Sequence, residues 1–296
     1  MKMRSASLFS LVVMISACNA QPSKLQTNKD DNTLLWEVSG KGLSAPSYLY
    51  GTFHLMCSSD IHFSDPFKKA VKDIDEVYME LDMDDPSVLL SGMLLMNMND
   101  GKHLKDLYKP EEYKRLKTFF TDSLNTPFAL FESMKPAFLE SMLYPKMMPC
   151  KSITGVEEEL MKLAKEDKKE IQGLETMAFQ ASVFDSIPYE EQAKDLLKTI
   201  DSLAEYKKYF DTMINVYKSQ HLKEIGELFS KSESGMDEHK DLLLNNRNAN
   251  WVKQLKDIMK KERVFVAVGA GHLVGEQGLI ALLRKEGYTV RPLENK

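Results

Sequence analysis

The sequence predicts an α/β fold: a central mixed, largely parallel sheet flanked by helices, with a large helical insertion between the N- and C-terminal sheet elements. Short apolar runs that end in turns or glycines recur along the chain, and patterns with a helical period lie between them. Strands separated by helices favour parallel pairing, because a parallel connection needs a long crossover. The helical block, roughly 86–150 and 176–250, predicts the insertion.

Six segments have the apolar pattern of strands. The first two are joined by the turn Ser39-Gly40-Lys41-Gly42, so we expect a hairpin. The clearest strand follows a charged segment and ends before Gly269. The predicted strands are 34–38, 47–50, 74–81, 170–174, 264–268 and 288–293.

Helical patterns occupy most of the remaining chain. Asp85-Pro86 is a typical helix start and opens a Met- and Leu-rich pattern to about 98, and Pro110 opens another. Two more patterns cover 157–167 and 189–229. Many of the 18 methionines fall in this block, where we expect soft core packing; an adaptable groove for peptides or lipids is the alternative.

Composition restricts the class of protein. The chain has 296 residues and a formal net charge of −5, so it offers no basic field for nucleic acid. One long apolar run lies at the extreme N-terminus, which excludes a polytopic membrane protein. We expect a single domain over residues 34–296, a peptide or small-molecule substrate and no nucleic-acid partner, and we make no prediction of oligomeric state.

The N-terminus has the three-part layout of a secretory signal peptide. Lys2 and Arg4 precede an apolar stretch, and the four residues that end at Cys18 resemble a bacterial lipobox, in which the cysteine is lipidated. We expect a signal peptide (1–17), a lipidated N-terminus with a flexible tether (18–33), and lipid anchoring in the bacterial cell envelope, on the periplasmic side or at the outer membrane. A plain cleaved signal and an uncleaved short anchor are the alternatives.

If the protein is exported, its two remaining cysteines can form a disulfide, because disulfides persist in oxidising compartments. We predict that Cys57 and Cys150 pair with each other. Two buried free thiols are the alternative, since a sequence does not give the distance between them. A bridge would tie the segment after His54 to the segment before Glu157.

Two Gly-x-x-His elements stand at the ends of predicted strands. One runs from Gly51 to His54 and the other from Gly269 to His272. Ligand sites of parallel sheets lie outside the carboxyl ends of the strands, so histidines of neighbouring strands can face one crevice. A single Gly-x-x-His is a weak signal, because a lone histidine is usually structural; two copies at strand ends are more specific.

Acidic residues occupy comparable positions. Glu80 ends a predicted strand, Glu175 directly follows another, and Glu157 follows a glycine at a helix start. Imidazoles and carboxylates bind catalytic divalent metals, which lower the pKa of a bound water, and a nearby glutamate can act as general base. Arg247 is a candidate for stabilising an oxyanion or a substrate carboxylate.

The ordered set of motifs resembles the TraB/GumN family. The resemblance covers about residue 34 to the C-terminus, and the set is far more specific than any one motif. The motifs are LLWEV at 34–38, PSYLYGTFH at 46–54, YME at 78–80, GLET at 173–176, NRN at 246–248 and VGAGHL at 268–273.

The resemblance implies a metal-dependent, peptidase-like hydrolase. The family is related to the Tiki metalloproteases, which carry two Gly-x-x-His motifs and use manganese or cobalt, so we expect Mn²⁺ or Co²⁺ rather than Zn²⁺. The wider superfamily includes erythromycin-esterase-like hydrolases and haem-binding ChaN-like lipoproteins. The implied metal ligands are His54, His272 and Glu80, and the implied catalytic residues are Glu80, Arg247, Glu175 and Glu157.

Other interpretations remain open. The same histidines are compatible with a non-catalytic lipoprotein that binds haem, metal or a peptide, and with a purely structural pair. A dinucleotide fingerprint is a further alternative at 269–275, but the chain ends too soon for the additional βα units of that fold. We expect the remaining histidines away from the centre, although His62, eight residues after His54, has a supporting role at the site as an alternative. Trp36 and Trp251 are expected to be packing anchors.

Overall fold

A mixed sheet of six strands organises the part of the chain that the structure describes. The computed structural model describes residues 31–124, 127–230 and 238–296. The predicted signal peptide, the predicted lipidation site Cys18 and most of the predicted tether lie outside the described residues. The strands are β1 (Leu35–Ser39), β2 (Ser47–Thr52), β3 (Met56–Cys57), β4 (Glu76–Met79), β5 (Ile153–Thr154), β6 (Glu170–Gly173), β7 (Val264–Gly269) and β8 (Thr289–Pro292).

The sheet is largely parallel, as predicted. Its strand order is β6-β4-β7-β2-β1-β8, and a separate two-stranded ladder joins β3 to β5. The first four strands in that order pair in parallel, whereas β1 pairs antiparallel with β2 and with β8. The predicted β1–β2 hairpin is therefore confirmed. The side chains of β2 are buried throughout and those of β7 up to its last residue, as expected for strands covered on both faces.

Helices cover the sheet and form the predicted insertion. Within the described ranges, the chain between β4 and β7 is helical apart from β5, β6, turns and short loops. The helices are α1 (Asp65–Asp73), α2 (Pro86–Leu95), α3 (Pro110–Leu124), α4 (Pro136–Ser141), α5 (Tyr144–Met147), α6 (Val156–Glu166), α7 (Met177–Asp185), α8 (Tyr189–Asp201), α9 (Leu203–Ser219), α10 (Leu222–Ser230), α11 (Asn246–Lys261) and α12 (Leu279–Lys285).

Local chemistry explains where several helices begin. Ser64 caps α1 by accepting a hydrogen bond from the Phe67 amide, and Thr176 caps α7 in the same way. Asp85 caps α2, and Pro86 occupies the first helical position, where its missing N–H is not needed. The Asp-Pro start predicted from the sequence is therefore confirmed.

Two predicted helices differ in length from those observed. The pattern at 189–229 is divided into α8, α9 and α10, with a left-handed backbone at Gln220 (φ 58°) that ends α9. The Gln220 side chain binds the Leu34 amide and the Asn295 carbonyl, contacts that hold it in this turn. The pattern to about 98 ends at Leu95, because the following residues pair with a segment at 133–135.

The segment after β7 does not have the geometry of a dinucleotide-binding turn. A 3-10 turn (Ala270–His272) follows the strand, and α12 begins only at Leu279. The next strand, β8, pairs antiparallel with β1 at the edge of the sheet. The structure therefore argues against the nucleotide alternative.

In the described ranges, no helix combines the length and the apolar character needed to cross a membrane.

Candidate functional site

Three neighbouring strands end at one edge of the sheet. Thr52 at the end of β2 is opposite Gly269 of β7, and Met79 at the end of β4 is opposite Ala267 of β7. The two Gly-x-x-His elements therefore lie on adjacent parallel strands. Glu80 follows β4 at the same edge, so the topology brings a carboxylate beside the two histidine loops.

The backbone continues this alignment beyond β6. The Leu174 amide donates to the Met79 carbonyl at 2.8 Å, and the Glu175 amide donates to the Glu80 carbonyl at 2.9 Å. These bonds extend the β4–β6 ladder past the formal strand ends. Glu175 and Glu80 are thus held side by side by their own main chains.

Arg247 of α11 joins the two carboxylates. Its Nη2 donates to Oε2 of Glu80 at 2.6 Å and to Oε2 of Glu175 at 2.8 Å, and its Nε donates to Oε1 of Glu175 at 3.0 Å. The Trp251 indole N–H also donates to Glu175, at 2.9 Å, and the Gly269 amide donates to Glu80 at 2.9 Å. These charged side chains are at most 16% exposed, and buried carboxylates need a partner of opposite charge. Arg247 is that partner for both Glu80 and Glu175.

His272 packs against this cluster. Its Nδ1 lies 2.6 Å from Oδ1 of Asn248, and its Nε2 lies 3.3 Å from Nη1 of Arg247. The same Nε2 is 3.8 Å from Oε1 of Glu80. The Trp251 ring covers one face of the imidazole, with the ring centroids 4.4 Å apart. These contacts fix the position of a side chain that is 5% exposed.

The protonation states in the cluster follow from burial and charge. Burial lowers the pKa of His272 to about 4, which outweighs the attraction of Glu80. Burial would raise the pKa of Glu80, but the positive charges of His272, which is protonated only in acid, and of Arg247 hold it at about 2. At neutral pH His272 is therefore neutral and Glu80 ionised, and Arg247 is the cation that remains to balance the carboxylates.

His54 and Glu157 form a second pair at the same edge. Nδ1 of His54 lies 2.7 Å from Oε1 of Glu157; the histidine side chain is 72% exposed and the glutamate 16%. The attraction of Glu157 raises the pKa of His54. Burial would raise the pKa of Glu157, but the attraction of His54 outweighs it and lowers the pKa. The two side chains therefore stabilise each other as an imidazolium and a carboxylate.

The backbone around Gly155 brings this pair together. The Val156 amide donates to the Phe53 carbonyl at 3.1 Å, which places the start of α6 against the histidine loop. A Cβ atom on Gly155 would lie 2.9 Å from the His54 carbonyl oxygen and 3.2 Å from Oε2 of Glu157. Only glycine fits this close approach without a shift of the backbone.

A disulfide braces the same segment. Cys57 and Cys150 are bonded, with their Cα atoms 5.9 Å apart, which confirms the predicted pairing over the alternative of two free thiols. Cys57 belongs to β3, which pairs with β5, and these strands lead from His54 and toward Glu157. The disulfide therefore links β3 to the segment just before β5, and the β3–β5 ladder lies between His54 and Glu157 in the chain.

A family model matches most of this chain. The model of the TraB/PrgY/gumN family matches residues 34–292. The chain belongs to this family. The TraB/PrgY/gumN match begins at the residue where the sequence predicts the domain to start.

Curated relatives of this TraB/PrgY/gumN protein are metalloproteases by name. The metalloprotease TIKI1 of Danio rerio is 23% identical over 91% of this chain and 65% of its own length. The metalloproteases TIKI2 of Danio rerio and Xenopus tropicalis are 36% and 32% identical over about a third of the chain. The chain spans less than two thirds of the length of each of these relatives. The comparison with solved structures found no match.

The structure places the sequence-predicted residues of this TraB/PrgY/gumN protein in two adjoining groups. It also adds three side chains that the sequence did not single out for the site. Asn248 and Trp251 contact His272, and Gln180 donates to Glu80 and Glu175 at 3.4 and 3.2 Å. Spacing on one face of α11 is the signal for Trp251, four residues after Arg247. The first group comprises Glu80, Glu175, Arg247 and His272, and the second comprises His54 and Glu157.

Three of the four remaining histidines have their partners outside these groups. His103 contacts Ser133, His239 contacts Glu191, and His221 forms an exposed pair with Glu224 at 3.0 Å. They are bonded within the helical insertion or at its surface. None of these three histidines adds a donor to the described part of the candidate site.

The donor types at the site fit a divalent metal, but the packed arrangement is not a coordination sphere. Two imidazoles and several carboxylates are suitable ligands. In residues 31–124, 127–230 and 238–296, however, no group of three or more His, Cys, Asp or Glu side chains is positioned to hold an ion. Oε2 of Glu80 is bonded to Arg247 instead. Metal binding at Glu80 therefore requires a shift of this ion pair.

Proposed function

We propose that this protein is an exported, lipid-anchored hydrolase of the bacterial cell envelope that uses a divalent metal ion to cleave peptides. The observation that carries the proposal is the meeting of two histidine loops and Glu80 at one edge of the sheet. The similarity to proteins named metalloproteases supports a peptide substrate. Lipidation of Cys18, export, and placement on the periplasmic side or at the outer membrane are supported by the N-terminal sequence alone.

His54, His272 and Glu80 are the residues that would hold the metal, for which we propose Mn²⁺ or Co²⁺ rather than Zn²⁺. A bound divalent ion lowers the pKa of a water molecule and so supplies a nucleophile near neutral pH. His54 is the exposed member of this set and therefore the one that incoming ions and substrates meet first.

Glu157 orients His54 in the proposed site. Its carboxylate lies 2.7 Å from Nδ1 and keeps the ring proton on that side, so release of the second proton of the imidazolium would leave Nε2 of the exposed ring as the metal-binding end. Because the same carboxylate can accept a proton, Glu157 is also the candidate general base. The absence of a Cβ at Gly155 leaves room for the His54 backbone and the Glu157 carboxylate to approach each other.

In the proposed site, Arg247 holds Glu80, Glu175 and His272 in place and does not contact the substrate. Nη1 donates to the Leu243 carbonyl and lies against His272, while Nε and Nη2 are bonded to Glu175 and Glu80. All five N–H groups are thus directed toward protein acceptors. Stabilisation of an oxyanion by Arg247, as suggested by the sequence, would first require one of these bonds to break.

The bond between Arg247 and Glu80 favours a second candidate function. With one Glu80 oxygen occupied, the chain can bind a metal, haem or peptide through His54 without assembling a catalytic centre. This candidate is a non-catalytic lipoprotein of the cell envelope. Binding without turnover is the property that distinguishes it.

The experiment is a hydrolysis assay on the mature chain with a library of internally quenched peptides. We expect turnover that requires Mn²⁺ or Co²⁺ and falls by about 10²- to 10⁴-fold in Glu157→Gln, the range for loss of a general base. His54→Ala should also abolish it. His221→Ala is the matched control, because His221 belongs to an exposed histidine–glutamate pair far along the chain.

Turnover that survives both chelation and His54→Ala contradicts the proposed function. Tight binding of metal, haem or peptide with no cleavage across the library supports the binding lipoprotein instead. A loss of activity in His221→Ala equal to that in His54→Ala would contradict the assignment of the site.

A further inference from the structure

The side-chain amide of Asn248 has one possible orientation. Its Nδ2 lies 2.8 Å from the Gln277 carbonyl oxygen and 3.3 Å from the His272 carbonyl oxygen. Carbonyl oxygens only accept, so the NH₂ group must face them. The remaining amide atom, Oδ1, is therefore the one that lies 2.6 Å from Nδ1 of His272. Asn248 is 1% exposed, so water does not compete for these bonds.

The two ring nitrogens of His272 then have different states. Oδ1 of Asn248 only accepts, so Nδ1 must carry a proton. At the other end, Nη1 of Arg247 lies 3.3 Å from Nε2, and a guanidinium only donates. Nε2 must therefore present its lone pair. Both ends of the ring independently indicate the same tautomer.

A flipped ring does not satisfy these partners. Rotating the imidazole by half a turn would place carbon atoms against Oδ1 of Asn248 and Nη1 of Arg247, so both hydrogen bonds would be lost. The Trp251 ring, 4.4 Å away between centroids, limits other rotations. The observed orientation is thus the one that the surroundings allow.

We propose that Asn248 is a positioning residue that fixes His272 as the Nδ1–H tautomer and keeps Nε2 unprotonated, with its lone pair toward Arg247. Once the Arg247 guanidinium moves away from Nε2, a neutral imidazole with its lone pair on that nitrogen can bind a divalent cation without first losing a proton. The tautomer stands on the contacts in the structure, whereas its use in binding a cation rests on the proposed function.

Nitrogen NMR of the full mature chain tests the tautomer directly. Histidine side chains are labelled with ¹⁵N, and the two-bond proton–nitrogen correlations of each ring are recorded; His272→Gln identifies the signals of His272. We expect a protonated Nδ1 and, far downfield, an unprotonated Nε2. A wild-type spectrum with the proton on Nε2 overturns the proposal, and this outcome depends on no variant.

Two variants test the role of Asn248. Asn248→Asp keeps an acceptor beside Nδ1, so the Nδ1–H state should persist; Asn248→Ala removes the acceptor, so part of the population should move its proton to Nε2. Thermal unfolding checks that each variant is folded. An unchanged tautomer in folded Asn248→Ala contradicts the positioning role.

Titration with Mn²⁺ or Co²⁺ tests the cation separately. Loss of an outer-shell partner typically weakens metal affinity by about 10- to 100-fold, so we expect that loss in Asn248→Ala and recovery in Asn248→Asp. Equal affinity in Asn248→Ala and wild type contradicts the cation role. A wild-type chain that shows the Nδ1–H tautomer but binds neither ion supports the tautomer and overturns the proposed function.

Discussion

Removal of the Cys57–Cys150 disulfide should lower the stability of the domain by several kcal/mol. The bridge joins residues 93 apart in sequence, so it removes many conformations from the unfolded chain. Chain-entropy arithmetic for a loop of that size gives about 4.6 kcal/mol at 25 °C. At about 2 °C per kcal/mol for a domain of this length, the melting temperature should fall by about 9 °C.

Calorimetry under oxidising and reducing conditions measures this loss. Wild-type protein compared with and without reductant has identical side chains, so the difference isolates the covalent bond. The Cys57→Ala/Cys150→Ala variant should match the reduced protein and no longer respond to reductant. Mass spectrometry of the non-reduced digest confirms the bond before melting.

Removal of the disulfide should lower the stability of the domain but change the local geometry of the site little. Without the bridge, the β3–β5 ladder and the bond from the Ser58 amide to the Ser152 carbonyl (3.0 Å) remain in the folded protein. His54 and Glu157 should therefore keep their pairing well below the melting temperature. A fall of less than about 2 °C on reduction would refute the loop-entropy reasoning, since it corresponds to about 1 kcal/mol.

Three further predictions concern single positions. Gly155→Ala should cost about 1–3 kcal/mol, because its Cβ would lie 2.9 Å from the His54 carbonyl oxygen; unchanged thermal unfolding would contradict this. Lys135, 1% exposed, pairs with Asp185 at 2.8 Å, so Lys135→Ala should cost about 3–5 kcal/mol in urea unfolding, and a cost near zero would argue against the buried pair. Burial would raise the pKa of Asp185, but bonds from Lys135 and Tyr189 lower it from 3.8. Its contribution to stability is therefore present above pH 3.8 and is lost as the pH falls through the lowered value; unfolding measured against pH should show this in wild type and not in Asp185→Asn.

The sequence predicts the sheet and the placement of the two histidine loops, because short-range patterns decide them. A buried apolar run that ends in Gly269 predicts a strand end, and the repetition at Gly51 suggests that both loops reach the same edge. The break of the long helical pattern at Gln220 is different. It depends on bonds to Leu34 and Asn295, which are distant in sequence.

The same distinction applies to the candidate site. The Asn-Arg-Asn motif identifies Arg247 as a candidate site residue. Only the packed structure shows that Arg247 lies between Glu80 and Glu175 and that all its N–H groups already have protein acceptors. Trp251 is predicted to be a packing anchor, and it does pack on His272. Its hydrogen bond to Glu175 depends on the relative placement of α11 and β6, which local patterns do not determine.

Elemental analysis of the mature protein tests the proposed metal centre most directly. Purified wild type and the variants His54→Ala, His272→Ala and His221→Ala are loaded with Mn²⁺ or Co²⁺, desalted and analysed for bound metal. We predict stoichiometric metal in wild type and His221→Ala and its loss in the other two variants. No bound metal in wild type, or the same metal content in all four proteins, would contradict the account.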